Sequence, residues 1–231
     1  MQMNQRCYIA FAIITLLIKV DLSHGSVEWC SSKLSLGTFQ QTSDCLVTET
    51  TIVNSGKLNI TGVENSELLS GIPRIFRTGH DRFKFRFFTV IGDGELELEK
   101  LVLTGGNVEY HIGSEYSWGG GAIYVSGPNT KLNILDSIFY DNRAYAGGSI
   151  FASNETNVVV ENTKMGGITT TNTGGALWCG FINTTCTIKG SSTRVLYYRF
   201  RLTRKQITTM YPDLNDESVA CPFHSNCIFE S

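Results

Sequence analysis

The sequence lacks an excess of charge of either sign: 19 Lys and Arg residues are set against 21 Asp and Glu residues, for a formal net charge of -2. A chain with this balance has no overall field that attracts nucleic acid, so nucleic acid is not an expected partner. Charged residues make up only 17% of the chain and apolar residues 42%, which excludes an intrinsically disordered chain. Proline is scarce, with 4 residues against 23 glycines, and this favours short strands joined by tight turns.

Long apolar runs are missing apart from residues 8–18, which a basic residue precedes. Ser23-His24-Gly25 places small residues where signal peptidase cleaves, so we predict a signal peptide over residues 1–25. The alternative is a membrane anchor, which needs about 20 apolar residues, whereas Lys19 and Asp21 interrupt this run. We therefore expect a secreted product with no stable membrane insertion after cleavage.

Signal cleavage removes Cys7 and leaves six of the 7 cysteines, an even number that fits an oxidising compartment. They form three close pairs in sequence: Cys30 with Cys45, Cys179 with Cys186, and Cys221 with Cys227. Six cysteines allow about 15 connectivities, so short loop closure favours these local disulfides without establishing them. His224 makes zinc an alternative for the last pair, but no fourth ligand lies nearby, and we predict a disulfide loop and no metal.

Three Asn-x-Thr triplets begin at Asn59, Asn154 and Asn183. Such triplets accept N-linked glycans in eukaryotic secreted proteins, and they also arise by chance in a chain rich in Asn and Thr. The sequence therefore predicts three candidate glycosylation sites.

An internal repeat is present in the second half of the chain. The motif that begins with Gly120 and Gly121 recurs at Gly147 and Gly148 and again at Gly174 and Gly175, with a spacing of 27 residues both times. The three copies read GGAIYV, GGSIFA and GGALWC, and a second β-prone run follows each of them. Each unit of 27 residues thus carries two short predicted strands.

This period indicates how the strands are stacked. A run of four or five residues cannot bury its apolar face alone, but a chain that turns back every 27 residues can pair equivalent runs into parallel sheets about 4.8 Å apart. Ile123 and Val125 then point inward, while Tyr124 points outward. Glycine pairs fit the corners, where the backbone bends sharply. We predict an all-β parallel solenoid; an antiparallel β-sandwich is the alternative.

The residues resemble a known family. Gly120 to Ile123, Phe139 to Asn142 and Gly147 to Ile150 are similar to the paired GGA[ILV] and FxxN motifs of the chlamydial polymorphic outer membrane protein repeat, within the pectin-lyase-like superfamily. The resemblance covers about residues 94–190, and the FxxN half, Phe139 with Asn142, occurs cleanly once. It implies a right-handed parallel β-helix and a role in adhesion at surfaces. We expect no C-terminal outer-membrane barrel in this chain, so the resemblance is not taken to imply autotransport.

The remainder of the chain divides around this repeat. We predict an N-terminal cap region over residues 26–56, the β-helix repeat domain over residues 57–193, and an edge strand with a disulfide-pinned cysteine loop over residues 194–231. Solenoids need atypical segments at their ends, and charged edge strands resist aggregation. The basic residues of the last segment are interpreted as edge protection, with an anion or glycan site as the alternative; they are Arg194, Arg199, Arg201, Arg204 and Lys205.

An insertion in the repeat supplies the candidate ligand-binding residues. Residues 108–117 do not fit the period and are expected to form a loop on one coil. Aromatic side chains in or beside such a loop can bind a ligand, although they more often cover a core edge. The candidates are Tyr110, His111, Tyr116 and Trp118.

Catalysis receives little support from the sequence. The superfamily contains polysaccharide lyases and glycosidases, which use paired carboxylates, calcium or a basic residue. Asp136 and Asp141 with Arg143 are the nearest approach, but Asp141 and Asn142 are ordinary turn formers. No catalytic residue and no cofactor is predicted.

The sequence therefore predicts a secreted, non-catalytic β-helix protein that binds glycans or a cell-surface protein in the manner of an adhesin. A polysaccharide lyase or glycoside hydrolase is the first alternative, and a structural wall or coat component is the second.

Overall fold

A computed structural model of the chain describes residues 28–32, 34–77, 85–108, 119–166, 169–173, 175–180, 183–190 and 226–230. Within these residues the protein is all-β, apart from one helix of four residues. In chain order the elements are α1 (Trp29–Ser32), β1 (Gly37–Gln41), β2 (Cys45–Leu46), β3 (Thr51–Gly62), β4 (Arg74–Phe76), β5 (Phe88–Glu99), β6 (Val102–Thr104), β7 (Ile123–Ser126), β8 (Lys131–Leu135), β9 (Ile138–Tyr140), β10 (Arg143–Ala146), β11 (Ile150–Ser153), β12 (Asn157–Glu161), β13 (Lys164–Gly166), β14 (Thr169–Thr173), β15 (Leu177–Cys179), β16 (Thr185–Lys189) and β17 (Asn226–Glu230).

The strands pair in three stacks. The first stack contains the beginnings of β3 and β5, followed by β7, β11 and β15. The second contains β1, the ends of β3 and β5, and then β8, β12, β16 and β17. The third contains β2, β4, β6, β9 and β13, and β10 pairs separately with β14. We call each successive set of strands a layer.

Every pairing between the described strands is parallel, so the antiparallel sandwich is wrong. Ile123 pairs with Ile150, and Ile150 pairs with Leu177, each 27 residues further along the chain. The predicted period is therefore the register of the first stack. Parallel pairing already begins at β1, inside the region predicted as a cap, and β17 adds a strand from the C-terminal segment. The predicted domain boundaries themselves stay predictions.

The core forms from alternate residues of all three stacks. Ile123 and Val125 are fully buried, as predicted, and so is Leu132 on the neighbouring strand of the second stack. Phe139, on β9 of the third stack, is 0% exposed and contributes to the same core. Because equivalent residues lie one above another, each layer covers the apolar side chains of the next, which a single short strand cannot do.

Recurrent left-handed residues follow the strands of the second stack. Lys100, Asp136, Asn162 and Gly190 follow equivalent strands and have φ values of 52°, 48°, 48° and 89°. The backbone N–H of Lys100 donates to Leu135, and the N–H groups of Asp136 and Asn162 donate to equivalent carbonyls of the following layer. Asp136 is thus a turn residue, which accounts for one of the two carboxylates of the enzyme alternative without chemistry.

The glycine pairs of the repeat lie at the corner that precedes the first stack. Gly120 and Gly147 have φ values of 67° and 53°, a conformation that favours glycine. The N–H of Gly121 donates to the carbonyl of Gly148 in the next layer at 3.0 Å. A Cβ at Gly121 would overlap that carbonyl, so the close approach of the layers requires glycine. Gly174 lies outside the described residues, and Gly175 accepts a hydrogen bond from Gly148 at 2.6 Å.

Two of the three expected disulfides are formed in the structure. Cys30 is bonded to Cys45, which joins α1 to β2, and Cys179 is bonded to Cys186, which joins β15 to β16. Cys179 and Cys186 are both 0% exposed, so this bond replaces apolar core residues in the last repeat. Cys221 lies outside the described residues, and the third pair stays a prediction.

The register also locates the insertion. Asn107 pairs with Arg143, and Gly119 pairs with Ala146. The chain therefore advances by twelve residues from Asn107 to Gly119 in one layer, and by only three residues from Arg143 to Ala146 in the next. The inserted residues fall between Asn107 and Gly119, where the sequence predicted them.

Candidate binding surface

A row of side chains faces outward from the third stack. Leu46, Phe76, Thr104 and Tyr140 occupy the same register position on β2, β4, β6 and β9. Leu46 is 44% exposed and Tyr140 is 38% exposed, while Phe76 and Thr104 are partly exposed. Neighbouring strands lie about 4.8 Å apart, and Thr104 lies between Phe76 and Tyr140. The two aromatic side chains are therefore about 10 Å apart on a solvent-facing sheet surface.

An ion pair lies beside this row. Arg74 donates to Asp44 three times: from its backbone N–H to Oδ1 at 2.9 Å, from Nε to Oδ2 at 2.7 Å, and from a terminal guanidinium nitrogen to Oδ2. The guanidinium carbon also lies 5.5 Å from the centroid of the Phe76 ring. Both charged side chains are partly exposed, at 31% for Arg74 and 24% for Asp44. The pair therefore keeps a fixed geometry at the surface and remains open to water.

The two charges stabilise each other. Burial acts most strongly on the Asp44 carboxyl and would raise its pKa, but the hydrogen bonds and charge of Arg74 together hold that pKa below its usual value. The hydrogen bond to Asp44 raises the pKa of Arg74, and Tyr140 adds to the same effect. Arg74 thus connects Asp44 with Tyr140 across the stack. We call Asp44, Leu46, Arg74, Phe76 and Tyr140, with Thr104 between the rings, the third-stack surface.

This surface has the chemistry of a recognition platform. The rings offer flat apolar faces, and the carboxylate and guanidinium offer fixed acceptors and donors whose charges cancel. A sugar ring presents C–H groups on one face and hydroxyl groups at its rim, which is the complementary arrangement.

A second aromatic group lies on the outer side of the first stack, where two of its three rings are buried. Tyr124, Phe151 and Trp178 stack with centroid distances of 5.5 Å and 4.2 Å and with planes within 7° of parallel. The guanidinium carbon of Arg86 lies over the Tyr124 ring, 4.8 Å from its centroid. Tyr124 faces away from the core, as predicted, but it is only 3% exposed and Phe151 only 7%. These two rings stabilise the layers and leave no face open to a ligand.

The burial of Arg86 has an electrostatic consequence. Removal from water lowers the pKa of its guanidinium to about 10. The side chain therefore stays charged at neutral pH, and its contact with Tyr124 is a cation–π interaction inside the protein.

The second stack carries a charged outer face. Lys57 pairs with Glu95 at 3.0 Å and also with Glu97, and Lys131 lies 3.7 Å from Glu95. The hydrogen bonds from Glu97 and Glu95 raise the pKa of Lys57. Opposite charges thus alternate across three adjacent strands, an arrangement that keeps a flat sheet surface hydrated and needs no ligand.

The structure separates the predicted site residues into two groups. Tyr110, His111, Tyr116 and Trp118 lie outside the described residues, as does the basic cluster between Arg194 and Lys205. Asp141 is exposed in a turn with φ 50° and lies 3.6 Å from Arg143, so it is an ordinary surface ion pair. Of the candidate glycosylation sites, Asn59 lies on β3, whereas Asn154 and Asn183 lie in turns between strands.

The third-stack surface was missed in the sequence. Its strands β4 and β9 have three residues each, Arg74–Phe76 and Ile138–Tyr140, too few to show an alternating pattern. Phe76 and Tyr140 also lie in different layers, and only the register brings them into one row. The sequence did contain one signal. In each of these two strands an aromatic residue follows another outward-facing residue by two positions: Phe76 follows Arg74, and Tyr140 follows Ile138.

Within the described ranges, no group of three or more His, Cys, Asp or Glu side chains is placed to hold a metal ion. The helix found there is too short to cross a membrane. Fold and surface together define an all-β protein of stacked parallel strands with disulfides. Comparison with protein families, curated proteins and solved structures found no match for this chain.

Proposed function

We propose that the protein is a secreted, non-catalytic binding protein that recognises neutral sugar rings through the third-stack surface. The observation that carries the proposal is that an exposed tyrosine, Tyr140, and a partly exposed phenylalanine, Phe76, lie beside a neutralised ion pair on one sheet. Tyr140 and Phe76 stack on pyranose faces, and Asp44 and Arg74 exchange hydrogen bonds with hydroxyl groups. Because the sheet holds these side chains in register, a ligand meets a preformed surface and orders few side chains on binding.

The fold that supports this role is a right-handed parallel β-helix, of the kind that the polymorphic outer membrane protein repeat implies. The parallel register, the 27-residue period and the recurrent left-handed corners support it. Right-handed connection is the general rule between parallel strands of one sheet. The burial of Phe139 in the core and the buried hydrogen bonds of Asn142 at a corner also support it.

Secretion is supported by the disulfides. Cys30–Cys45 and Cys179–Cys186 are formed, and such bonds persist in oxidising compartments. The predicted signal peptide over residues 1–25 would deliver the chain there. A binding protein outside the cell meets glycans and surface proteins, which are the partners the sequence suggested.

The test is binding of the secreted chain to neutral polysaccharides. Affinity electrophoresis in gels that contain mannan, β-glucan or polygalacturonate measures retention, and the same incubations are followed for reducing or unsaturated ends. We expect retention by at least one neutral polymer, no product release, and at least tenfold weaker binding by Tyr140→Ala, equivalent to about 1.4 kcal/mol.

Tyr145→Ala is the matched control, because Tyr145 is 40% exposed on β10, away from the third stack. Equal loss in both variants would contradict a role for the third-stack surface. Product release would favour the lyase or glycosidase alternative, and loss of product in Asp136→Ala or Asp141→Ala would assign it to those carboxylates. Absence of both retention and product would favour a protein partner or a structural role.

A further inference from the structure

One edge of the protein consists of the turns that join the first stack to the second. Asn129 lies in the turn before β8, Asn154 in the turn before β12, and Asn183 in the turn before β16. All three are exposed and have left-handed backbones, with φ values of 65°, 56° and 56°. Successive layers thus present an asparagine at the same edge.

Buried threonines anchor these turns from below. Thr130, Thr156 and Thr184 immediately precede paired positions of β8, β12 and β16, and each is at most 1% exposed. The N–H of Asn157 donates to the carbonyl of Thr130, and that of Thr185 donates to Thr156. Each turn is therefore fixed from within, while its asparagine lies at the outside.

The three asparagines differ in the residue that stands two positions after each of them. Asn154-Glu155-Thr156 and Asn183-Thr184-Thr185 meet the Asn-x-Thr requirement for N-glycosylation, and Asn129-Thr130-Lys131 does not. A left-handed turn explains asparagine at all three places, because this residue tolerates that conformation. The turn does not explain Thr185, which is half-buried on the outer side of β16.

We propose that Asn154 and Asn183 each carry an N-linked glycan, so that this edge is covered by carbohydrate on two successive layers. The proposal requires that the chain enters a eukaryotic secretory pathway. The donor is a lipid-linked diphosphate oligosaccharide: the bond from sugar C1 to the diphosphate oxygen breaks, and a bond from C1 to the asparagine Nδ2 forms. The amide loses one proton, and the lipid diphosphate leaves.

The burial of Thr156 sets the order of events. The transferring enzyme must read the threonine hydroxyl, and in the folded protein this residue is 1% exposed. Transfer to Asn154 therefore precedes closure of the turn. In the folded protein Asn154 is exposed, and its Nδ2, which keeps one hydrogen after glycosylation, donates to the hydroxyl of Ser126 at 3.0 Å. The linkage is therefore held at the turn.

The glycans leave the third-stack surface uncovered. The edge lies between the first and second stacks, whereas Asp44, Phe76 and Tyr140 lie on the third, beyond a further corner. Carbohydrate at the edge excludes other chains from these turns and leaves the aromatic row accessible.

The test uses the full chain expressed in cultured eukaryotic cells. The protein is treated with peptide N-glycosidase in heavy-oxygen water, which converts each glycan-bearing asparagine to labelled aspartate, and the peptides are mapped by mass spectrometry. We expect label at Asn154 and Asn183 and none at Asn129. Unlabelled peptides at Asn154 or Asn183, in secreted or retained protein, would overturn the proposal.

Two variants test the edge without replacing its asparagines. Thr185→Ala removes the triplet at Asn183 and should lose the mass of one glycan. Lys131→Thr creates a triplet at Asn129 and should add one, because Asn129 is exposed in an equivalent turn. Loss of no glycan in Thr185→Ala would contradict modification of Asn183. Secreted Lys131→Thr without an added glycan would contradict the ability of this edge to accept carbohydrate.

Discussion

Asn142 accepts a hydrogen bond from the backbone N–H of Gly106, one layer away, at a distance of 2.9 Å. Its Nδ2 also donates to the carbonyl of Leu103 at 3.1 Å and to the hydroxyl of Ser149 at 3.2 Å. The side chain is 0% exposed, so these bonds are made out of contact with solvent. A single carboxamide thus joins two layers and also bonds to Ser149, in the turn that precedes β11.

Replacement of this residue should be costly. Asn142→Ala leaves the N–H of Gly106 and the carbonyl of Leu103 without their buried partner, and we expect a loss of about 2–3 kcal/mol in the free energy of unfolding. Urea unfolding followed by circular dichroism measures the loss. Asn133→Ala, on the partly exposed face of β8, is the control and should change stability by less than about 0.5 kcal/mol. Similar values for both variants would contradict the bridging role.

The close approach of the layers at Gly121 makes a second prediction. A Cβ there would overlap the carbonyl of Gly148 and the backbone of Arg143, neither of which can move without displacing its layer. We expect Gly121→Ala to lower the free energy of unfolding by at least about 2 kcal/mol. Gly166→Ala is the matched control, because a Cβ at Gly166 meets no atom within 4 Å. Equal stability of the two variants would show that the layers are not in close contact at this corner.

The contribution of each disulfide to the free energy of unfolding should increase with the length of the loop that it closes. Cys30–Cys45 spans 15 residues and Cys179–Cys186 spans 7. In the chain-entropy description these loops correspond to about 3 and about 2 kcal/mol. The paired alanine variants, Cys30→Ala with Cys45→Ala and Cys179→Ala with Cys186→Ala, are compared by urea unfolding. A larger loss for the second pair would mean that its burial in the core outweighs loop length.

The sequence could predict those parts of the fold in which one motif recurs without interruption. The glycine pairs indicated the register of Ile123, Ile150 and Leu177, because no insertion separates those copies. Phe76 and Tyr140 could not be aligned in the same way, because the chain between their layers contains the insertion after Asn107, which breaks the period.

The sequence also could not predict which outward-facing residues are buried. Alternation of side chains along the strand places Tyr124 on the side away from the core, and a side chain there is exposed to solvent if nothing covers it. In the structure Phe151 stacks on one face of the ring and Arg86 lies over it at 4.8 Å. Both residues are distant from Tyr124 along the chain, so only the folded arrangement shows that the ring is enclosed.

The Asp44–Arg74 pair makes stability depend on pH in one direction. The pKa of Asp44 is lower in the folded protein than its usual value, so the folded state favours the ionised carboxylate. This contribution is fully present above the unfolded pKa of about 3.9 and is lost as the pH falls through the lower folded value. We expect the chain to exceed Asp44→Asn in stability by no more than about 1 kcal/mol at pH 7, because both side chains are partly exposed.

Urea unfolding of the two proteins between about pH 7 and about pH 2.5 measures this difference. The gap should be constant down to about pH 4.5 and should shrink below it, because the unfolded chain then takes up a proton at Asp44 more readily than the folded protein does. Salt should reduce the gap at neutral pH, since the pair is open to solvent. A gap that widens on acidification would mean that Asp44 is stabilised in its protonated form. Arg74 would then be an uncompensated cation on the third-stack surface, and that surface would select acidic rather than neutral sugars.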